Sequence, residues 1–186
     1  MRVVGGRLRG RAIASPSSNA IRPTQDRLRE SLFNILMHAY DNPMDGARVL
    51  DLFAGTGALG IEAVSRGAAF TLFVDNGAEA RALLRNNVES LGLGGVTKVF
   101  RRDATDLGPA YPVEPFSLVF ADPPYGQGLA TKALQSLKQG RWLTPNALVV
   151  VEESKAAAFL VPEGFAELER RIYDDTEFVF LRLGAN

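Results

Sequence analysis

The run ADPPYG at residues 121–126 combines a carboxylate, two prolines and an aromatic ring within six positions. Two prolines after a predicted buried strand fix φ and remove two backbone donors, so the Pro123 carbonyl is presented as an acceptor beside the Asp122 carboxylate. Tyr125 adds a flat aromatic face. Two acceptors and a stacking face suit a planar base that carries an exocyclic amine. Holding both N–H groups exposes the amine lone pair, so the run predicts that this nitrogen acts as a nucleophile.

Acidic residues end four successive predicted strands, and they are Asp51, Asp75, Asp103 and Asp122. Ligands of open parallel sheets bind beyond the carboxyl ends of the strands, so the four carboxylates are expected along one edge. Their mutual repulsion indicates a ligand that brings positive charge or hydrogen-bond donors. S-adenosylmethionine has an ammonium, a sulfonium, two ribose hydroxyls and an adenine amine. The pyrophosphate of NAD would instead be repelled by Asp51.

The run VLDLFAGTGALG at residues 49–60 contains the spacing Gly55-x-Gly57-x-x-Gly60, and Asp75 follows Gly55 by twenty positions. This spacing alone is the fingerprint of a dinucleotide-binding turn with a downstream acid for the ribose. Asp51, placed directly before the loop, favours an ammonium over a pyrophosphate. The loop therefore predicts a nucleoside cofactor with a sulfonium.

Apolar strand patterns alternate with helical patterns along most of the chain, which predicts an α/β fold with a doubly wound parallel sheet. The predicted strands cover residues 48–53, 70–75, 97–103, 116–122 and 147–153, and the predicted helices cover residues 24–39, a stretch from 59 onward, 78–91 and a stretch before the fifth strand. The runs at residues 165–175 and 176–183 leave no room for a crossover helix and predict an antiparallel hairpin at the sheet edge. Residues 1–14 predict a short β-hairpin interrupted by glycines.

The composition excludes several classes of protein. The chain has 186 residues, of which 46% are hydrophobic, enough for one well-buried core. It has no cysteine and a single histidine, His38, so no metal site is expected. It lacks an apolar run of the roughly 18 residues needed to span a membrane, and its N-terminus has no apolar signal region. We expect a cytoplasmic protein without a membrane partner.

A formal net charge of zero conceals a basic N-terminus. Residues 1–30 hold seven arginines against Asp26 and Glu30, a net charge of +5, so the remaining chain carries −5. Neutralisation of phosphates by arginine supplies much of the affinity for nucleic acid. The asymmetry predicts a polyanionic partner at one end of the molecule, with a solvated tail as the alternative.

Four runs in this order and spacing resemble the class I S-adenosylmethionine-dependent methyltransferases that modify exocyclic amines: DLFAGTGALG (51–60), FVD (73–75), RRDA (101–104) and ADPPY (121–125). The run IRPTQDRLRESLFNIL at residues 21–36 narrows the resemblance to the bacterial 16S ribosomal RNA guanine-N2 methyltransferases of the small subunit. The resemblance implies a Rossmann-like, seven-stranded, mostly parallel sheet with an antiparallel C-terminal strand. It also implies a basic N-terminal hairpin or arm over residues 1–20 and a methyltransferase domain over residues 21–186.

The resemblance also implies roles for individual residues. Asp51 would accept the ammonium of S-adenosylmethionine, and the backbone of Gly55, Thr56 and Gly57 would line its methionine part. Asp75 would accept the ribose hydroxyls, and Asp103 and Ala104 would contact the adenine. Those that would hold a flipped guanine, with N2 aimed at the methyl group, are Asp122, Pro123 and Tyr125. The basic N-terminus, rather than the resemblance, gives the candidate contacts with the RNA, which are Arg7, Arg9, Arg11 and Arg22. The implied partner is 16S ribosomal RNA within an assembly intermediate of the small subunit, bound by a monomer.

Direct in-line transfer is the expected mechanism, because no cysteine is available for covalent attack on a base. Three alternatives remain. An adenine-N6 DNA methyltransferase shares the proline motif but usually carries a recognition domain for which this chain has no room. A glutamine methyltransferase has Asn in place of Asp122. A non-catalytic RNA-binding module would not need the intact acids. A nicotinamide dehydrogenase is disfavoured because nothing resembles a hydride-transfer site.

Overall fold

The computed structural model describes residues 1–16 and 23–184 of the chain. The helices are α1 (Pro23–Ala39), α2 (Ala58–Ser65), α3 (Ala78–Ser90) and α4 (Leu129–Gln139), and short 3₁₀ turns cover Gly94–Val96 and Lys155–Ala157. The strands are β1 (Arg48–Leu52), β2 (Phe70–Val74), β3 (Thr97–Phe100), β4 (Phe116–Ala121), β5 (Leu143–Ser154), β6 (Phe165–Tyr173) and β7 (Thr176–Leu183).

The seven strands form one sheet in the order β3-β2-β1-β4-β5-β7-β6. All pairings from β3 to β5 are parallel, and β7 lies antiparallel between β5 and β6. The predicted mostly parallel sheet and its antiparallel terminal hairpin are both confirmed. Chain order reverses between β1 and β4, and this switch point is where a doubly wound sheet forms a ligand crevice.

Both faces of the sheet are buried along the central strands β1, β2 and β4, which are almost uninterrupted runs of apolar residues. Side chains alternate between the two faces with the period of two that a strand imposes. Along β1, Leu50 and Leu52 join the cluster on the α4 side, whereas Val49 joins the cluster that contains Leu32 and Leu36 of α1. Asp51 lies on the same side of β1 as Val49, so its carboxylate faces α1.

Two strand boundaries differ from the sequence prediction by three or more residues. The third strand was expected to end at Asp103, but β3 ends at Phe100. The carboxylate of Asp103 instead accepts hydrogen bonds from the backbone N–H (2.9 Å) and the hydroxyl (2.7 Å) of Thr105, which forms a turn in place of further pairing. The fifth strand begins at Leu143, four residues before the predicted start, and its pairing with β4 shifts between Phe116 and Leu118.

The N-terminal segment, residues 1–16, packs against the body of the molecule. Its predicted hairpin is reduced to one antiparallel bridge between Arg2 and Ala12. Val3, Leu8 and Ile13 are buried in a cluster with residues of α2 and α3. Gly6 has φ +74°, and a Cβ there would lie 2.0 Å from the Ser65 carbonyl, so this close approach requires glycine.

Glu62 on α2 fastens this segment with a fully buried carboxylate. Its two oxygens accept hydrogen bonds from the backbone N–H groups of Val4 and Gly5, each at 2.9 Å. It also pairs with Arg29 at 3.4 Å and with Arg66 at 3.0 Å. Arg29 further bonds Asp26 at 3.0 Å and the backbone carbonyl of Arg2. A buried carboxylate with this many donors ties three parts of the chain together.

Replacing Glu62 with alanine is expected to lower the free energy of unfolding by about 3–5 kcal/mol. The change leaves the Arg66 guanidinium and two backbone N–H groups without their acceptor, and it leaves Arg29 paired with Asp26 alone. Urea denaturation measures the loss, and hydrogen exchange at the amides of Val4 and Gly5 locates it. Glu79→Ala, at an exposed carboxylate on α3, is the control. A loss below about 1 kcal/mol, within the range of an exposed ion pair, would show that apolar contacts alone hold the segment.

Candidate active site

A cleft of about 310 Å³ opens at the carboxyl ends of β1 and β4, on the face of the sheet that α1 covers. Its wall includes the loop after β1 and the side chains of Leu28 and Leu32 on α1. Three carboxylates from three adjacent strands face it, namely Asp51, Asp122 and Glu152. Among the described residues that line it, the one basic residue is Arg29, which Asp26 and Glu62 already engage.

Asp51 is the most deeply buried of these acids, with 1% of its surface exposed. Its Oδ2 accepts a hydrogen bond of 2.9 Å from the backbone N–H of Gly60 at the start of α2. Burial raises the pKa of Asp51 to about 8; the Gly60 N–H lowers it and the negative charge of Asp75 raises it further. Ionisation of this carboxyl group in the free protein therefore costs free energy, and a bound cation would offset that cost.

The glycine loop after β1 serves two different purposes. Gly55 has φ +56°, and a Cβ there would meet only the Phe53 carbonyl at 3.9 Å, so the loop is open on that side. Gly57 and Gly60 face the interior, where a Cβ would lie 2.3 Å from Leu84 and 2.4 Å from Phe73 respectively. The resemblance implies that the backbone of Gly57 holds the cofactor, and the space beside its Cα is filled by the core. Of the three glycines, only Gly55 lines the cleft, together with Thr56.

Asp75 follows β2 and binds the backbone of two loops. Its Oδ2 accepts from the N–H of Gly55 at 3.0 Å, and its Oδ1 accepts from the N–H of Gly77 at 2.8 Å. Each carboxylate oxygen has a second lone pair for a further donor. Asp75 is thus fixed beside the loop that lines the cleft.

Asp103 and Ala104 lie past the end of β3, outside the residues that line the cleft. Asp103 is exposed, and its hydrogen bonds with Thr105 lower the pKa of its carboxyl. Ala104 is buried, with 4% of its surface exposed. The structure therefore places these two residues on the same edge of the sheet as the cleft, two strands away from β1.

Asp122 directly follows β4 and reaches the cleft. No hydrogen bond to its carboxylate forms among the described residues. Burial, then the charges of Glu152, Asp51 and Glu153, raises the pKa of Asp122 well above its usual range. Pro123 beside it is buried. A carboxylate without donors, next to two others, is suited to receive hydrogen bonds from a ligand.

Tyr125 is anchored at its hydroxyl and open at its ring. The hydroxyl lies 3.4 Å from Glu152 Oε1 and 3.3 Å from Thr176 Oγ1, and 48% of the residue is exposed. Burial of the hydroxyl end raises the pKa of Tyr125 to about 12. The next residue, Gly126, donates its N–H to Glu153 at 3.2 Å, which holds the loop against β5.

The sequence interpretation missed Glu152, the third acid of the cleft. Its signal was present, because β5 also ends in acids, but the run at residues 147–153 was used only as a strand. Burial raises the pKa of Glu152 to about 7, and its hydrogen bond with Tyr125 lowers the pKa. The parallel register pairs Ala121 with Val151, so Asp122 and Glu152 follow neighbouring positions on neighbouring strands.

Three of the predicted RNA contacts lie on the N-terminal segment, and Arg7, Arg9 and Arg11 are all exposed. Arg11 donates to the Ser90 carbonyl at 3.1 Å through one nitrogen. Arg22 lies outside the described residues. Arg29, counted in the basic charge of the N-terminus, is buried and paired, so it does not add to the exposed positive surface.

Residues 1–16 and 23–184 contain no group of three or more histidine, cysteine, aspartate or glutamate side chains placed to hold a metal ion. They also contain no helix that combines the length and the apolar character needed to cross a bilayer.

A parallel sheet with one inserted antiparallel strand, and an acidic cleft at its switch point, is the architecture of the Rossmann-like methyltransferases.

The model of the family described as Conserved hypothetical protein 95 matches residues 1–182. The Ribosomal RNA small subunit methyltransferase D of Escherichia coli strain K12 is 38% identical over 152 residues, which cover 82% of this chain and 74% of the relative. Its counterpart from Buchnera aphidicola subsp. Acyrthosiphon pisum is 32% identical over 170 residues, which cover 91% and 86%. The chain belongs to this family, the small-subunit ribosomal RNA methyltransferases D.

Solved structures agree with this assignment. The Escherichia coli protein yhhF superimposes with a TM-score of 0.82 at 29% identity, covering 100% of this chain and 99% of that one. The hypothetical protein TTHA0928 of Thermus thermophilus superimposes with a TM-score of 0.72 at 32% identity, covering 97% and 98%. The similarity therefore extends over the whole chain, including the N-terminal segment.

Proposed function

We propose that the protein transfers a methyl group from S-adenosylmethionine to the exocyclic N2 of a guanine in 16S ribosomal RNA. The observation that supports this most strongly is the cleft with three carboxylates, Asp51, Asp122 and Glu152, and no unpaired lysine or arginine side chain among its described lining residues. Such a site suits a cationic cofactor and an amine that donates hydrogen bonds. The names of the relatives supply the class of RNA.

The residues present suit S-adenosylmethionine. Asp51, buried and raised in pKa, would accept the ammonium, and the open side of Gly55 would admit the methionine moiety with Thr56 and the backbone of Gly57. Asp75, already fixed by two N–H groups, would accept the ribose hydroxyls. Asp103 and Ala104 would contact the adenine. When bound, S-adenosylmethionine supplies an electrophilic methyl group on a sulfonium, which an amine lone pair can attack.

The protein's part in the reaction is to hold the amine and its developing charge. Asp122 and the Pro123 carbonyl would accept the two N–H groups of the guanine amine, and the ring of Tyr125 would stack on the base. The nitrogen becomes cationic and acidic as it is methylated, so Asp122 would stabilise that charge and then take the proton. Positioning of the reacting groups contributes much of the rate, on the order of 7–11 kcal/mol in well-aligned systems.

In this proposal the protein is a cytoplasmic monomer, and its substrate is a small-subunit particle during assembly. A domain of this size contacts few bases, so the shape of the RNA and its bound proteins would help to select the target.

A methylation assay with tritiated S-adenosylmethionine tests the proposal. The substrates are small-subunit particles from cells that lack the enzyme, the naked RNA of those particles, and duplex DNA. We expect label in ribosomal RNA and none in DNA. Label in DNA alone would contradict the proposal and favour an adenine-N6 DNA methyltransferase. Calorimetry with S-adenosylhomocysteine separates an enzyme from a binding module, since absence of binding would leave only the module.

Replacing Arg7, Arg9 and Arg11 together with alanine is expected to weaken RNA binding and to reduce the slope of its salt dependence, by up to about 0.7–0.9 per lost phosphate contact. Affinity for S-adenosylmethionine is expected to stay the same, because none of the three residues lines the cleft. Filter binding at several salt concentrations measures the slope. Substitution of Lys98, Arg141 and Arg182 is the control with equal charge loss. An unchanged slope in the first variant would assign the segment a structural role only.

A further inference from the structure

Glu152 lies at the end of the cleft proposed for the methyl acceptor, away from the residues proposed for the cofactor. Three adjacent strands carry the three acids in the order β1, β4 and β5. Asp51 on β1 is the proposed ammonium acceptor, and Asp122 after β4 is the proposed amine acceptor. Glu152 on β5 lies one strand further from Asp51 than Asp122 does. It is therefore placed to contact the methyl acceptor beyond its amine.

The side chain of Glu152 is directed into the cleft and held at one oxygen. It lies on the same face of β5 as Val150, which is the α1 side that the cleft occupies. Tyr125 donates to Oε1 over a long 3.4 Å, and the same hydroxyl lies 3.3 Å from Thr176. No hydrogen bond to Oε2 forms within the described part of the chain. The carboxylate thus keeps acceptor capacity beside the ring on which a base would stack.

The Watson–Crick edge of guanine carries two neighbouring hydrogen-bond donors, the N2 amine and the N1–H. Adenine offers an amine at N6 but an unprotonated N1, which is an acceptor. A carboxylate beside the amine site therefore attracts guanine and repels adenine. Buried polar groups that would be left unpaired make such discrimination strong.

We propose that Glu152 is a specificity-determining residue that accepts the N1–H of the target guanine while Asp122 holds the N2 amine, so that adenine is excluded. This inference rests on the proposed function, because it assumes that a guanine enters the cleft. The N2 amine and the N1–H, which are adjacent on the base, would then bind to acids carried by the adjacent strands β4 and β5. The hydroxyl of Tyr125, whose ring would stack on the base, lies 3.4 Å from the same carboxylate.

The test compares two bases in two proteins. Small-subunit RNA is assembled by ligation around a synthetic segment, so that the methylated position holds either guanine or 2-aminopurine. The second base keeps the amine at C2 and lacks the N1–H. We expect the unchanged protein to favour guanine in kcat/KM by about 10- to 150-fold, the range for one hydrogen bond to a charged group. In Glu152→Ala this preference is expected to fall below about threefold, because the acceptor is gone.

Control variants separate this role from a structural one. Glu163→Ala, at an exposed carboxylate, is expected to keep the full preference. Tyr125→Phe, which removes only the hydroxyl contact, is expected to keep most of the preference even if it lowers turnover. Equal losses on both bases in Glu152→Ala, with the preference intact, would overturn the inference and make Glu152 a structural residue. Failure of the unchanged protein to methylate the guanine substrate at N2 would instead contradict the proposed function.

Discussion

Replacing Asp122 with alanine is expected to lower kcat for methyl transfer by about 10³-fold and to leave the affinity for S-adenosylmethionine within about threefold. The size of the loss follows from removal of a group that stabilises charge only in the transition state. Asp122 has no hydrogen-bond partner among the described residues, and its pKa is raised well above the usual range by burial and by three neighbouring acids. Such a side chain contributes little to the fold and is free to act on a ligand.

Single-turnover kinetics on small-subunit particles measure the chemical step, and calorimetry with S-adenosylhomocysteine measures binding. Asp122→Asn keeps the shape and one acceptor but loses the charge, so its rate is expected to fall between those of the alanine variant and the unchanged protein. Glu163→Ala serves as the control for loss of a carboxylate. Near-normal turnover in Asp122→Ala would show that another residue handles the amine and its proton.

Replacing Asp51 with asparagine is expected to weaken binding of S-adenosylmethionine at least about 100-fold, because loss of a buried charge partner can cost several kcal/mol. The same variant is expected to be more stable than the unchanged protein in the absence of ligand. Asparagine can still accept from the Gly60 N–H, and it replaces the carboxyl group whose pKa burial raises to about 8. A substitution that weakens ligand binding and raises stability indicates that the original residue serves binding rather than folding.

The pH dependence of this stability has a definite sign. Burial raises the pKa of Asp51 from 3.8 to about 8, so the native state holds a proton that the unfolded state loses between these values. The free energy of unfolding of the free protein therefore falls as pH rises from about 4 to 8. Asp51→Asn removes the contribution of Asp51 to this dependence, whereas Asp122 and Glu152, whose pKa values are also raised, keep theirs. The stability advantage of the variant is expected to be larger at pH 8, about 1–2 kcal/mol or roughly 2–6 °C in Tm, than at pH 5.5.

Thermal denaturation at pH 5.5 and pH 8 measures this difference, with Asp45→Asn as an exposed control. A variant that is less stable than the unchanged protein at both pH values would show that Asp51 is mainly structural. Retained binding of S-adenosylmethionine would remove Asp51 from the cofactor site altogether.

The sheet and its edge could be predicted because they depend on local patterns. Runs such as residues 116–121 are buried on both faces and read as strands without knowledge of any contact. The acids that follow the strands then fall on one edge by topology alone, which is why Asp51 and Asp122 meet in one cleft. The antiparallel β7 was predictable because two strand-like runs leave no room for a helix between them.

Other features depend on contacts between residues distant in sequence. Glu62 and the amides of Val4 and Gly5 are separated by more than fifty positions, so no local sequence pattern predicts that Glu62 holds the N-terminal segment. Gly57 matches a ligand-binding spacing, but its missing side chain makes room for Leu84 of the core. Glu152 was readable as a strand-end acid, but its place beside Asp122 follows only from the register between β4 and β5.

The proposed methylation of a guanine N2 amine in small-subunit RNA is tested most directly by mass spectrometry of nucleosides. The sample is a preparation of small-subunit particles from cells that lack the enzyme, incubated with the protein and S-adenosylmethionine. We predict one new modified nucleoside, N2-methylguanosine, that maps to a single position and is absent with Asp122→Ala. N6-methyladenosine, or a methylated guanine still formed by the Asp122→Ala protein, would contradict the account.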